Sequence, residues 1–147
     1  MKRPTPFTCI AAAFIGLGLS IGAGGAAMAE VVVVVSAQSA VTTLSKNQVV
    51  DIFLGKTSRF PDGSIAVPID QGEGIAAREE FYSGFASKSA AQLKAYWSKI
   101  IFTGRGQPPR EASSATELKK LIVASPNSIG YIDRGLVDES ERIVLLQ

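Results

Sequence analysis

Asp70-Gln71-Gly72-Glu73-Gly74-Ile75-Ala76-Ala77-Arg78 sets a Gly-x-Gly loop between an apolar run, Ile65 to Ile69, and a helical pattern. A strand that feeds a helix through such a loop turns free backbone N–H groups toward one spot, which favours an anion there. The candidate ligand-binding residues are therefore Gly72, Glu73, Gly74 and Ile75, through their amides, and Arg78. A guanidinium forks onto phosphate or carboxylate with paired donors. An ion pair of Arg78 with Glu73, Glu79 or Asp70 stands equally beside that role. Glu73 either repels an anion, selects a cationic or neutral guest, or is a solvated acid stabilised by the helix dipole. Ser36, Ser39 and Thr42 follow the first strand-like run, and ligands collect at the carboxyl ends of parallel strands. Their hydroxyls are candidate donors or ordinary loop polarity.

Composition removes whole classes of chemistry. The 147 residues include no histidine and one cysteine, Cys9, which lies near the N-terminus. Ser-His-Asp and Cys-His nucleophile systems and zinc sites built on His or Cys are excluded. The expectation is a protein that is not an enzyme and has no metal or other cofactor.

Residues 1–29 read as a secretory signal. Met1-Lys2-Arg3 is a basic start, Cys9 to Ile21 is apolar, and Ala27-Met28-Ala29 is a small-x-small cleavage site. Lys and Arg number 15 against 13 Asp and Glu, and Lys2 and Arg3 account for the excess. The chain after Ala29 is electrically balanced, which argues against nucleic acid as a partner. Residues 30–147 are long enough for one domain with its own hydrophobic core and no disulfide.

The elements that must position the loop follow from patterning. Val31 to Val35 is an unbroken β-branched run, expected as a central strand buried on both faces. Ser45 and Gln48 form a capping box for a helix that reaches Leu54, with Gly55 as its stop. Ser89 with Gln92 and Ser114 with Glu117 open two more helices. The first of these carries Leu93, Tyr96, Trp97, Ile100 and Ile101 at helical spacing, the second Leu118, Leu121 and Ile122. Pro108-Pro109 enforces an extended connection. Ser128 to Ile132 and Arg142 to Leu146 are strands. Interleaved strands and helices predict an α/β domain with a mixed, mostly parallel sheet flanked by helices.

Several phrases carry a family resemblance. Leu44-Ser45-Lys46-Asn47-Gln48-Val49-Val50-Asp51-Ile52-Phe53-Leu54-Gly55-Lys56 resembles the opening of the second lobe of phosphate-type periplasmic substrate-binding proteins, and Ser128-Ile129-Gly130-Tyr131-Ile132 resembles their closing strand. Arg78-Glu79-Glu80-Phe81 and Trp97-Ser98-Lys99-Ile100-Ile101-Phe102-Thr103-Gly104 resemble a short branch of the same superfamily. The resemblance implies a single lobe of the type II periplasmic binding fold, a small anion such as phosphate as ligand, and the membrane component of an ABC transporter as partner. It implies the periplasm as location.

Phosphate binders of this family carry Asp-Gly-Ser-Gly-Thr where this chain has Gln71-Gly72-Glu73-Gly74-Ile75. The proton acceptor and two hydroxyl donors are replaced and a negative charge is added. A like charge beside phosphate costs on the order of several kcal/mol at an effective dielectric of about 20. Weak anion binding is the expectation. The alternative is an interaction module that has lost solute binding, its old interlobe surface serving a partner protein or a homodimer.

Overall fold

The computed structural model describes residues 30–144, so the leader read over residues 1–29 lies outside the described residues. Strand β1, Val31–Ser36, is buried along its whole length, as its β-branched run predicts. Val31, Val33 and Val35 enter one core and Val32 and Val34 another, on the opposite face of the sheet. Helix α1, Lys46–Phe53, starts from the Ser45–Gln48 capping box with both reciprocal bonds formed. Strand β2, Val67–Gln71, leads into α2, Ala76–Ala86, and α3, Ala90–Phe102, follows from the complete Ser89–Gln92 capping box.

A three-residue strand, β3, Arg110–Ala112, stands where an extended connection is expected after Pro108-Pro109. Helix α4, Ala115–Ala124, begins at Ser114, but only half of the expected box forms. Ser114 Oγ accepts from the Glu117 amide, while the Glu117 carboxylate accepts from Ser113 N and Oγ at 2.7 and 2.6 Å. Strand β4, Ser128–Asp133, a 3-10 turn over Arg134–Leu136, and β5, Glu141–Ile143, complete the order.

The sheet order is β3-β2-β4-β1-β5. Strand β2 runs parallel to β3 and β4, whereas β1 runs antiparallel to β4 and β5. Helices α1, α2 and α3 pack on one face and α4 on the other, giving a three-layer α/β lobe with a mixed sheet. Phe81 of α2 stacks on Tyr131 of β4 with ring centroids 4.0 Å apart, and Phe53 of α1 meets both rings edge-on. These rings fix α2 to the sheet, and with it the end of the candidate loop.

Candidate functional site

Strand β2 is displaced from the expected Ile65–Ile69 run. Ile65 and Val67 are exposed, while Asp70 and Gln71, expected in the loop, are strand residues and buried. A buried acid must be paired or hydrogen-bonded. Asp70 is surrounded by donors: the Tyr131 hydroxyl and the Gln71 amide at 2.8 Å on Oδ1, and the Tyr82 hydroxyl at 2.7 Å on Oδ2. Burial pushes the Asp70 carboxyl above the ordinary aspartate value, opposed by the two hydroxyls and by Arg78. Burial and the adjacent Asp70 push both tyrosine hydroxyls far up, so they remain donors. The Gln71 side chain closes the group by donating to the Tyr131 carbonyl at 2.8 Å.

Arg78 belongs to this cluster. Its Nη1 donates to Glu111 Oε1 of β3 at 2.9 Å, and Nη2 lies 3.7 Å from Asp70 Oδ2. Its side chain is only 14 % exposed. The guanidinium is thus directed at two carboxylates of the protein. Of the two roles open in the sequence, the ion pair with Asp70 is the one present, joined by Glu111.

The loop itself is a turn. The Gly72 N–H donates to the Ala112 carbonyl at 3.1 Å, and the Ile75 N–H returns to the Gly72 carbonyl at 3.2 Å. Gly74 sits at φ +86°, in the left-handed region that favours glycine. Two of the four expected amide donors, those of Gly72 and Ile75, are therefore engaged within the fold. Ile75 occupies the N-cap of α2 and supplies no side-chain cap. Among the described residues, the amides of Glu73, Gly74, Ala76 and Ala77 have no backbone partner. They form the open positive end of α2, with the exposed Glu73 carboxylate beside them.

Ser36 and Ser39 do not join that group. Because β1 is antiparallel to β4, Ser36 pairs with Glu141 at the far end of the sheet, while Val31 pairs with Asp133 near the loop. Five residues of strand separate those ends by about 17 Å. The two hydroxyls instead close local turns, Ser36 Oγ accepting from Gln38 N and Ser39 Oγ from Val41 N. Arg142 clamps the same segment through the carbonyls of Ala37, Ser39 and Val41.

A cavity of about 230 Å³ opens between α2 and α3, next to the loop. Leu93, Trp97, Ile101 and Pro108 supply apolar wall, and Glu73, Glu79, Arg78 and Lys94 supply charge. Trp97 is buried, as its apolar spacing predicts, but its Nε1 has no partner among the described residues. Ile101, expected inward, is 54 % exposed. Among the described residues no group of His, Cys, Asp and Glu is placed to hold a metal, and no helix is long and apolar enough to cross a membrane.

The sheet order, the layering and the strand–turn–helix junction define one lobe of the fold used by periplasmic substrate-binding proteins. Solved structures of phosphate-transport proteins share it. One is a Clostridium perfringens protein assigned as a phosphate ABC transporter substrate-binding protein and solved with bound phosphate, at 20 % identity and a TM-score of 0.61. Another is an ABC-type phosphate transport receptor from Vibrio cholerae, at 18 % and 0.61. A third is PstS from Borrelia burgdorferi, at 14 % and 0.60. Each similarity covers 78 % of this chain but only 44 to 46 % of the other, so the chain spans less than half the length of these structures. No protein-family model matches the chain, and no curated protein does.

Proposed function

We propose that this is a secreted, periplasmic solute-binding-like protein that holds phosphate or another small anion weakly at the N-terminus of α2. The supporting observation is the uncapped first turn of that helix, where the amides of Glu73, Gly74, Ala76 and Ala77 have no hydrogen-bond partner among the described residues. Such a group of N–H donors favours an anion. The likeness to a phosphate-bound structure lends weight to phosphate as the first guest to try, and an ABC transporter membrane component is the corresponding partner. The binding is weak for two reasons. Glu73 adds a negative charge at the loop, and Arg78 is already held by Asp70 and Glu111.

Titration calorimetry with phosphate in low-salt buffer tests the proposal. The expected dissociation constant is above roughly the micromolar range. No heat from wild type or from Glu73→Ser at millimolar phosphate overturns it. The second reading, an interaction module, draws on the engaged state of Arg78, which leaves the most specific anion ligand of the loop unavailable.

A further inference from the structure

Phe102, the last residue of α3, is 92 % exposed, and Ile101 before it is 54 % exposed. Beside them lies the α2–α3 cavity of about 230 Å³. That is smaller than the roughly 300–1,000 Å³ of small-molecule sites. It exceeds the apolar cavity of about 150 Å³ that accepts benzene. A single benzyl side chain suits it. We propose that the Phe102 ring of a second copy of this chain fills the cavity, and that the exchange is reciprocal, giving a closed homodimer.

Two features select a second copy as the occupant. Ring and cavity adjoin on α3, since Ser98 lines the cavity and Phe102 follows it by four residues, one helical turn on. A two-fold contact requires such a self-complementary patch. The charges around it are complementary as well. Glu73 and Glu79 stand on the α2 rim, Lys94 on the α3 rim, and Lys99 and Arg105 flank Phe102 in the chain. Among the described residues none of these makes an ion pair within the chain. A two-fold rotation that carries Phe102 to the partner's cavity brings cations toward the partner's carboxylates, which steers and orients association. The contact shares Glu73 and Gly74 with the proposed anion site but requires no anion there, so a dimer without phosphate binding, or the reverse, separates the two readings.

Sedimentation equilibrium of protein purified from expression of the full chain, from about 1 to about 200 micromolar, tests the pairing. A reversible dimer is expected. Trp97, the single tryptophan of the chain and part of the cavity wall, should change its emission over the same concentration range. Phe102→Ala should weaken the dimer at least about thirtyfold and abolish the emission change, with an unaltered circular dichroism spectrum. Ser98→Phe, which fills the cavity from its own wall, should weaken it while Phe102 remains. A monomer at the highest concentration overturns the proposal. So does a dimer that survives either substitution, or growth beyond a dimer.

Discussion

The Tyr131 hydroxyl of β4 donates to one oxygen of the Asp70 carboxylate on β2, and the Tyr82 hydroxyl of α2 donates to the other. One buried acid thereby ties the helix that follows the loop to two neighbouring strands of the sheet. Arg78 adds a fourth element, since it bridges Asp70 to Glu111 on the edge strand β3. The position of the α2 N-terminus is set by this polar group together with the aromatic rings beneath it.

Tyr131→Phe should destabilise the lobe by about 2 kcal/mol, because a buried charged acceptor loses one of its donors. Tyr82→Phe should cost a similar amount. The double substitution should differ from the sum, since both hydroxyls serve the same carboxylate. Urea denaturation of the two single variants and the double variant measures all three.

Arg78→Ala should act on stability, with a loss of about 2 kcal/mol, because it leaves the buried Asp70 carboxylate with less compensation. Arg78→Lys should restore only part of it, since an ammonium cannot fork between Asp70 and Glu111 as a guanidinium does. Thermal melts report the loss. Phosphate titration of the same variants should show little change, as the guanidinium is already engaged.

Glu73→Ser should tighten phosphate binding by about tenfold, corresponding to about 1.4 kcal/mol. The substitution removes an exposed like charge and adds a hydroxyl donor next to the open amides. Calorimetry of wild type and variant side by side checks it, and a neutral result places Glu73 away from the guest.

The pH dependence should carry two opposing contributions. Hydrogen bonds from Lys119 and Ser140 hold the exposed Asp138 well below the ordinary aspartate value. Its stabilisation is present above the unfolded value of about 3.9 and is lost as the pH falls below that. Asp70 is raised by burial, so the folded state takes up its proton first, and its contribution to stability grows as the pH falls through its folded value. Asp138→Asn should therefore flatten the acid loss of stability below about pH 4, and Asp70→Asn should steepen the decline just above it. Urea midpoints followed from neutral pH into acid separate the two.

Gly130→Ala should destabilise the fold by about 1–3 kcal/mol through overpacking. A methyl at Gly130 of β4 would sit 2.9 Å from Leu118 Cδ2 and 3.1 Å from Ile122 Cδ1 of α4. Leu118→Ala in the same background should recover part of the loss, which a double-mutant cycle would show.

Local signals in the sequence carried well into the structure where they are completed by nearby residues. The Ser45–Gln48 and Ser89–Gln92 boxes form as read, and the valine run is buried on both faces. Long-range relations did not show. Asp70 and Gln71 read as loop because they are polar, yet they end a strand whose hydrogen-bonding partner Tyr131 lies 61 residues on from Asp70. The signal for this was Tyr131 inside an apolar strand, because a buried tyrosine hydroxyl needs a partner. Strand β3 is short, and Arg110 and Glu111 in it are exposed, so apolar patterning was silent there. The direction of β1 was not encoded in its composition, and it is that direction which separates Ser36 and Ser39 from the loop.

The seat of β1 between β4 and β5 has a consequence for the order of events in the cell. Among the described residues, the first strand pairs with the last two, which lie far from it in sequence. Its pairing therefore depends on contacts between residues distant in sequence, which raise contact order and slow folding. A chain that stops short of β4 lacks the central pairing of this sheet. For a protein proposed to leave the cytoplasm, slow closure of such a sheet leaves more time for an unfolded chain to thread across a membrane.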